Sequence, residues 1–340
     1  MLDELRPPEA LLYLILGKWY GQAITAAAHL GVADLLAEGP RTSDDVARAA
    51  GANPDAVYRV MRCLGAVGVL HETAGKMFAL TPIGSALRTG VDGSLAGLAK
   101  YEGARCNLEA CAELTHSART GASAFVKAHG MPIFEWMPAH PEEAAIYNSA
   151  MASLSTTTAR AVAASYDFAA SRTIVDVGGG HGTLLAEILS SAPQTRGVLF
   201  DAPQVAEAAQ ASLTARGLRA RCEVVGGDFF KAVPTGHDTY VLKNVIHDWA
   251  DDEAVAILSQ VARAMAPTGK LLVVEQLVTA PGTPTLNLAK IIDMIMMCLT
   301  EGGRERTEAE YAEILRRSGL RLERVVKTPS QVDVLEAYRA

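Results

Sequence analysis

Apolar residues follow two different patterns along the chain, and the pattern changes near residue 171. Before that point they recur at helical spacing, whereas after it they form short runs that are separated by helical segments. Helical spacing indicates amphipathic helices, and short β-branched runs that alternate with helices are typical of parallel strands. The pattern therefore predicts a mainly helical N-terminal part followed by an α/β part.

The first hundred residues predict short helices and one small hairpin. The stretches "TSDDVARAAG", from Thr42, and "NPDAVYRVMRCLGAVGVL", from Asn53, begin with residues that cap helices and continue with apolar residues at helical spacing. "VLHETAGKMFALT" follows and predicts two strands around a glycine turn. Helices followed by such a hairpin make a winged-helix pattern, which we expect to form a domain over residues 1–100.

The apolar run "LLYLILG", at 11–17, is too short for a membrane span, which needs roughly 20 residues. The segment from Glu9 to Leu36 predicts amphipathic helices instead, and its large apolar surface favours burial against a partner chain. The five cysteines contain no C-x-x-C pair, so they indicate neither a disulfide framework nor a zinc site. We therefore expect a cytoplasmic protein that does not use a membrane.

Winged-helix domains often bind DNA, but the charge of this one argues against that function. Residues 41–90 carry six basic and four acidic side chains, a net charge of +2, and the whole chain carries −7. DNA-binding domains usually concentrate Lys and Arg on one face, because these residues displace counterions from the phosphates. Dimerisation is therefore the expected role of the domain, and a regulator that senses a ligand is the alternative.

The α/β part predicts a parallel sheet that is covered by helices on both faces. Two further runs, 320–327 and 332–338, follow each other through a turn, so they should add an antiparallel hairpin at the edge of the sheet. We expect this domain to span residues 101–340, with 101–170 as connecting helices that line an acceptor pocket. The predicted parallel strands are 173–178, 197–201, 222–228, 238–243 and 270–276.

A glycine-rich loop, "DVGGGHGT" (176–183), joins the first of these strands to its helix. Ligands of such sheets bind beyond the carboxyl ends of the strands, and glycines let them approach the backbone closely. A dinucleotide site would need G-x-G-x-x-G, yet Gly178, Gly180 and Gly182 follow G-x-G-x-G, with Thr183 in the last position of that motif. The spacing therefore argues against an NAD-dependent oxidoreductase.

Acidic residues lie at the ends of the next two strands. Asp201 ends the second strand, where a carboxylate can accept both hydroxyls of a ribose. Asp228 and Phe229 end the third, where they offer an acceptor for an exocyclic amine and an aromatic face for a purine. One such acid could cap a helix, but several at successive strand ends predict a nucleoside site without a diphosphate clamp.

Six motifs in order make the chain resemble the S-adenosylmethionine-dependent O-methyltransferases of the caffeic-acid and hydroxyindole O-methyltransferase type, which include bacterial enzymes of secondary metabolism. The motifs are "DVGGGHGTLL", "FDAPQV", "GGDFF", "LKNVIHDWADDEA", "LLVVEQLV" and "EGGRERTEAEYAEIL". The resemblance covers nearly the whole chain and implies a class I, Rossmann-like methyltransferase sheet plus a winged-helix dimerisation domain. It implies a homodimer that uses S-adenosylmethionine, releases S-adenosylhomocysteine and needs no metal.

The resemblance also implies how the cofactor is held. The glycine loop would hold the methionine end, which Lys243 would also reach. Asp201 would bind the ribose, and Asp228 with Phe229 would bind the adenine. The loop residues concerned are Asp176, Gly178 and Gly180.

His247, in "LKNVIHDW", lies just past the fourth strand and is the candidate general base. Histidine is the side chain whose ordinary pKa lies near neutral pH, so it can accept the proton of a hydroxyl. Glu275 ends the fifth strand, where burial would require a partner, and Glu305 follows a pair of glycines. In the family these two acids flank the catalytic histidine, which implies that they fix its tautomer and hold its ring.

Residues that bind the acceptor are expected in two regions. The run "IIDMIMMCL" (291–299) is rich in methionine, whose sulfur suits flat aromatic ligands, although such runs more often belong to the core. The connecting region before the nucleotide domain closes over the substrate in the family. Asp248 could cap a turn or orient a neighbour. The candidates are Phe134, Trp136, Asn148, Met151, Asp248, Met294 and Met297.

Together these observations predict an O-methyltransferase that acts on a hydroxyl of a small aromatic or polyketide-like metabolite, without nucleic acid as a partner. Methylation of nitrogen or carbon is an alternative within the same family. A relative that transfers no methyl group would not need His247 with its two acids.

Overall fold

The computed structural model describes residues 5–280, 282 and 287–340, which divide into two compact units. The first unit comprises the described residues up to Glu109 together with Met137–Leu154, and the second comprises Ala110–Trp136 and Ser155–Ala340. The sequence predicts a single boundary near residue 100, whereas this division groups Met137–Leu154 with the N-terminal helices.

The first unit consists of short helices around a small sheet. Its elements are α1 (Pro7–His29), α2 (Val32–Leu35), β1 (Arg41–Thr42), α3 (Ser43–Ala49), α4 (Pro54–Ala66), β2 (Leu70–Thr73), β3 (Met77–Leu80), α5 (Pro82–Ser85), α6 (Ala96–Glu102) and the start of α7 (Arg105–Ala112). The side chains of Thr42 and Asn53 cap α3 and α4. β2 and β3 pair in antiparallel fashion, and β1 pairs with β3. The predicted caps and hairpin are confirmed.

The first half of α1 differs from the amphipathic helix that the sequence predicts. Its large apolar residues are exposed on every side, with Leu14, Ile15 and Trp19 exposed at 63%, 62% and 61%. The buried positions of α1 lie further along and are small, such as Ala23 and Ala27. Only the second half of α1 therefore packs within its own chain, and the first half presents a large apolar surface.

The second unit contains helices on both sides of one large sheet. Its elements are α8 (Leu114–Thr120), α9 (Ala124–His129), α10 (Ile133–Trp136), the end of α11 (Pro141–Ser165), β4 (Thr173–Val177), α12 (Thr183–Ser191), β5 (Arg196–Asp201), α13 (Pro203–Ala215), β6 (Cys222–Gly226), β7 (Thr239–Lys243), α14 (Asp251–Ala264), β8 (Lys270–Glu275), α15 (Leu288–Leu299), α16 (Glu308–Arg317), β9 (Leu320–Val326) and β10 (Asp333–Arg339).

In the part of the chain that the structure describes, this sheet has seven strands in the order β6–β5–β4–β7–β8–β10–β9. β6, β5, β4, β7 and β8 are parallel, and β10 is antiparallel to both β8 and β9. The predicted parallel sheet with an antiparallel hairpin at its edge is confirmed. Its two faces bury separate clusters, one around Val175 and Tyr240 and the other around Ile174 and Val241.

The strand order determines where a ligand can bind. The chain runs outward from β4 to β6 and then returns to the other side of β4 with β7. Ligands of open α/β sheets bind at such a switch point, beyond the carboxyl ends of the strands. The sequence motifs that follow β4, β5, β6, β7 and β8 therefore lie along one edge of the sheet. Among the described residues, no helix combines the length and apolarity that crossing a bilayer requires.

Candidate active site

The loop between β4 and α12 presents an open stretch of backbone. Gly178, Gly180 and Gly182 have φ angles of 70°, 55° and 76°, which favour glycine. A Cβ at Gly178 would lie 2.7 Å from Val245 Cγ2, and one at Gly182 would lie 2.8 Å from Leu199 Cδ1, so these two glycines permit close packing. At Gly180, no described atom lies within 4 Å of that position, so the backbone there is open to a ligand.

Two carboxylates lie next to this loop. Asp201 accepts hydrogen bonds from the N–H of Gly180 at 2.8 Å and from the N–H of Ala202 at 2.7 Å, one on each oxygen. Each oxygen can accept a second hydrogen bond, as ribose hydroxyls would require. Asp176 is 2% exposed in β4, and its Oδ2 has no hydrogen-bond partner among the described residues. Burial raises the pKa of Asp176 to about 7, although Lys243 opposes the shift.

Asp228 and Phe229 follow β6 and lie near the surface. The Asp228 carboxylate accepts from the N–H of Phe230 at 2.9 Å and pairs with Lys231 Nζ at 3.1 Å. These bonds lower the pKa of Asp228, so it is an ionised acceptor at neutral pH. The ring of Phe229 packs edge-on against Trp249, with the centroids 5.9 Å apart. The adenine role of both residues stays a prediction.

Lys243 and the residue after it shape the end of β7. Lys243 Nζ donates to Ser155 Oγ at 3.2 Å, and burial lowers the pKa of Lys243 although Asp176 and Glu275 oppose the shift. Asn244 has a φ of 52°, a left-handed conformation that asparagine tolerates better than most residues. Its buried Oδ1 has no hydrogen-bond partner among the described residues. Asn244 therefore turns the chain sharply just before the residues that lead to His247.

His247 lies in a single 3-10 turn, Ile246–Asp248. Glu275 is fully buried at the end of β8, and its Oε1 accepts from the N–H groups of Val245 at 3.1 Å, Ile246 at 2.9 Å and His247 at 3.4 Å. The first N–H groups of a helical turn have no partner inside the turn and carry partial positive charge, so a carboxylate there stabilises the turn. The buried carboxylate of Glu275 is thus paired with backbone N–H groups as well as with the imidazole of His247.

The side chain of His247 is 11% exposed and lies among three carboxylates. Its Nδ1 is 3.0 Å from Glu305 Oε1 and 3.3 Å from Glu275 Oε2, whereas its Nε2 is 3.6 Å from Asp248 Oδ1. A proton on Nδ1 donates to Glu305, which leaves Nε2 able to accept a proton. The structure therefore brings together the three residues that the sequence proposes for catalysis.

The acids around His247 change its proton affinity. Burial alone lowers the pKa of the imidazole, but the charge of Glu275 and the hydrogen bond to Glu305 outweigh it and raise the pKa from 6.5 to about 10. Burial raises the pKa of Glu275 to about 7, although His247 opposes that shift. From the sequence, a histidine with its ordinary pKa is expected here. The structure instead favours the imidazolium at neutral pH, because two carboxylates face Nδ1.

Three further polar residues hold the backbone or side chains of the site, and the sequence alone does not indicate them. Arg306 is 0% exposed, and its guanidinium hydrogen-bonds the carbonyl oxygens of the His247 turn. Asp293, in α15, accepts from the N–H of Glu305 at 2.9 Å, and Ser155 accepts from Lys243. Nothing in the hydrophobic pattern indicates these roles, because an arginine in a polar loop or an acid in an apolar helix is most often exposed to solvent.

The acceptor candidates have different surroundings. Phe134 and Met294 are exposed at 57% and 50%, and Met297 is half-buried. Trp136 is buried and packs edge-on against Phe125, with the centroids 5.6 Å apart, so its visible contacts are those of a core residue. Contact between any of them and an acceptor stays a prediction. Of the other three candidates, Asp248 lies beside His247, and Asn148 and Met151 belong to the first unit.

The site fits a nucleoside that carries a short side chain better than it fits a dinucleotide. The backbone is open at Gly180, a carboxylate with spare acceptor capacity lies beside it at Asp201, and the third glycine of a dinucleotide motif is absent. A buried histidine whose Nδ1 faces two carboxylates lies just past a neighbouring strand. With the antiparallel hairpin at the edge of a parallel sheet, these features define an S-adenosylmethionine-dependent methyltransferase.

Comparison with known proteins specifies the class further. A family model of the O-methyltransferase domain matches residues 111–321, and a model of the O-methyltransferase dimerisation domain matches residues 12–90. The chain belongs to this O-methyltransferase family, which uses S-adenosylmethionine.

Three similar proteins show the range of this family. A mitomycin biosynthesis 6-O-methyltransferase of Streptomyces lavendulae is 41% identical over 330 residues, which are 96% of this chain and 93% of that protein. An 8-amino-8-demethylriboflavin N,N-dimethyltransferase of Streptomyces davaonensis is 37% identical over 298 residues, or 86% and 84% of the two chains. A methyltransferase of calicheamicin biosynthesis, solved with S-adenosylhomocysteine bound, is 32% identical, with a TM-score of 0.87 over 99% of this chain and 100% of that one.

Proposed function

We propose that this protein transfers a methyl group from S-adenosylmethionine to a hydroxyl of a small aromatic or polyketide-like metabolite, with His247 as the general base. The observation that carries the proposal is the buried imidazole whose Nδ1 is engaged by Glu305 and Glu275, so that Nε2 is left to accept a proton. The relative that is named for mitomycin biosynthesis supports a secondary metabolite as the acceptor.

The base removes the main obstacle to attack by a hydroxyl oxygen. Bound S-adenosylmethionine supplies the methyl group on a sulfonium sulfur. A phenol has a pKa near 10, as tyrosine does, so keeping it ionised at pH 7 costs about 4 kcal/mol. The neutral form of His247 takes this proton on Nε2, and the carboxylates of Glu275 and Glu305 stabilise the imidazolium that forms. Because the same carboxylates raise the pKa of His247 to about 10, the neutral form is the minor one at pH 7, and turnover should rise with pH toward that pKa. Such a base typically contributes about 10²–10⁴-fold to the rate.

An assay of S-adenosylhomocysteine release over a panel of phenols, catechols, phenazines and quinones tests the proposal. The expected result is turnover with the new methyl group on oxygen, established by mass spectrometry and NMR of the product. A methyl group on nitrogen would favour the chemistry named for the Streptomyces davaonensis relative. No turnover across the panel, despite tight cofactor binding, would contradict the proposed acceptor class.

We also propose that the reaction needs no metal. The possible ligand atoms of His247, Glu275 and Glu305 lie within 4.8 Å of one another, which is close enough to hold a metal ion. Nδ1 of His247 already has a carboxylate at hydrogen-bond distance, and Glu275 Oε1 is occupied by N–H groups of the backbone. Turnover should therefore survive EDTA, and loss of activity that added divalent cations restore would contradict metal independence.

Replacing Glu275 with glutamine should move the pH profile of the reaction to lower pH. The amide still accepts from the backbone N–H groups, but it removes a negative charge that raises the pKa of His247. A lower pKa leaves more of the imidazole neutral at each pH below about 10, so the acid limb of kcat/KM should shift down by about 1 unit or more. Profiles between about pH 6 and 11 would measure the shift.

A matched variant separates this effect from a general change of charge. Glu308 is an exposed acid in the first turn of α16, and Glu308→Gln removes the same charge away from His247. Its pH profile should equal that of the wild type. An acid limb that stays in place in Glu275→Gln would show that His247 is not the group whose titration controls the rate.

We further propose that the chain forms a homodimer through the apolar surface of α1. Large exposed apolar patches mark interaction surfaces, and the match to the dimerisation-domain model includes these residues. The double variant Leu14→Glu, Ile15→Glu should convert a dimer into a monomer of 35.9 kDa, as measured by light scattering after size-exclusion chromatography. Leu108→Glu alters an exposed leucine of α7 and should leave the dimer intact. A double variant that stays dimeric would place the interface elsewhere.

A further inference from the structure

Both ends of the turn that carries His247 are held by buried charges. At its N-terminal end, the carboxylate of Glu275 accepts from three consecutive N–H groups. At its carbonyl side, Arg306 Nη1 donates to Ile246 O at 3.1 Å and Nη2 donates to Trp249 O at 2.8 Å. An anion thus binds the N–H groups and a cation binds the carbonyl oxygens on both sides of His247.

Arg306 is itself fixed in place. Its Nε and Nη2 donate to Asp251 Oδ1 at 3.0 Å and 2.7 Å, and its Nη1 also donates to Arg304 O at 3.3 Å. The residue is 0% exposed, so its guanidinium cannot swing out to solvent without disrupting the packing around it. A planar group with several fixed donors can span two carbonyls and a carboxylate at once, which a lysine ammonium cannot do.

Arg306 also connects the turn with the second catalytic carboxylate. Glu305 is the residue before it, and its Oε1 lies 3.0 Å from His247 Nδ1. The backbone N–H of Arg304 donates to His247 O at 2.7 Å, and the N–H of Glu305 donates to Asp293 Oδ1. The segment 304–306 therefore binds the backbone of the turn and its imidazole from the same side.

We propose that Arg306 is a positioning residue that sets the direction of the His247 imidazole by clamping the carbonyl oxygens of Ile246 and Trp249. The inference rests on the proposed role of His247 as the base. Displacement of a reacting group by about 1 Å can cost about 10²-fold in rate. Without the guanidinium, the turn keeps Glu275 and the N–H of Arg304 but loses the clamp on the carbonyl oxygens of Ile246 and Trp249. The imidazole should then move by such amounts, even when the fold is intact.

Arg306→Lys tests the clamp while keeping the positive charge and most of the volume. It should lower kcat by about 10-fold or more. The affinity for S-adenosylmethionine should stay unchanged, because Arg306 hydrogen-bonds none of the proposed cofactor residues, which lie at the ends of β4, β5, β6 and β7 or just beyond them. Arg306→Ala should lose more activity, and millimolar guanidinium should restore part of it by filling the vacated site. Arg304→Ala is the matched control, since the Arg304 side chain is half-exposed and its contribution to the turn is a backbone N–H.

NMR of protein labelled with [15N]histidine reports the position of the ring independently of turnover. The His247 resonances, assigned by their loss in His247→Ala, should shift or broaden in Arg306→Lys and not in Arg304→Ala. Unchanged resonances in Arg306→Lys, with or without a loss of kcat, would overturn the positioning role. If His247→Ala kept full activity, the proposed base would be wrong, yet shifted resonances in Arg306→Lys would still support the clamp.

Discussion

Replacing His247 with alanine should lower kcat by about 10²-fold or more without changing the affinity for S-adenosylmethionine. In the described structure, Nδ1 of His247 lies within 3.3 Å of two buried carboxylates. These carboxylates stabilise the positive charge that the imidazole gains when it accepts a proton. Without the imidazole, the phenol must lose its proton to solvent before it attacks, which costs about 4 kcal/mol at pH 7. Single-turnover measurement of methyl transfer would isolate this step.

The control for this variant is His237→Ala. His237 is half-buried beside Tyr240, with the ring centroids 6.2 Å apart, so its removal tests the loss of a partly packed histidine away from the carboxylates. We expect that variant to keep its rate. Raising the pH should recover part of the activity of His247→Ala, because more of the phenol is then ionised in solution. A His247→Ala enzyme with nearly full activity at pH 7 would mean that positioning alone carries catalysis.

The sheet could be predicted from the sequence because each parallel strand is a short apolar run with a helix after it. "TIVDVG" and "KLLVVEQ", for example, became β4 and β8 with shifts of one residue at their ends. The sequence predicts a large apolar surface on the segment from Glu9 to Leu36 and its burial against a partner chain, but it does not show that the exposed part is the first half of α1. Hydrophobic periodicity shows which residues avoid water, but it does not show which of them the chain itself covers.

The candidate site was predictable where its residues lie at strand ends. Glu275 and Asp201 follow apolar runs directly, and the strand order then brings such ends to one edge of the sheet. Arg306 could not be found this way, because its burial depends on contacts with Ile246, Trp249 and Asp251 that only the fold creates. The raised pKa of His247 also depends on the simultaneous approach of two acids, which no local pattern records.

Replacing Asp201 with alanine should raise the Kd for S-adenosylmethionine and for S-adenosylhomocysteine by about 10²-fold. The carboxylate tethers the glycine loop through the N–H of Gly180, and its remaining acceptor capacity suits two ribose hydroxyls. Hydrogen bonds to a charged group contribute about 1.5–3 kcal/mol each, so the loss of two is worth about 3 kcal/mol or more. Isothermal titration calorimetry would measure both affinities. Asp252→Ala, which removes an exposed acid from α14, should leave both affinities unchanged.

A second ligand separates the ribose contact from the loop tether. An S-adenosylhomocysteine analogue without the two ribose hydroxyls should bind the wild type weakly, because Asp201 then lacks its partners. In Asp201→Ala the same analogue should bind nearly as well as S-adenosylhomocysteine itself, since the interaction is already absent. The coupling energy of this cycle measures the ribose contact alone, because the tether to Gly180 is lost equally for both ligands. A coupling energy near zero would mean that Asp201 acts only by holding the loop.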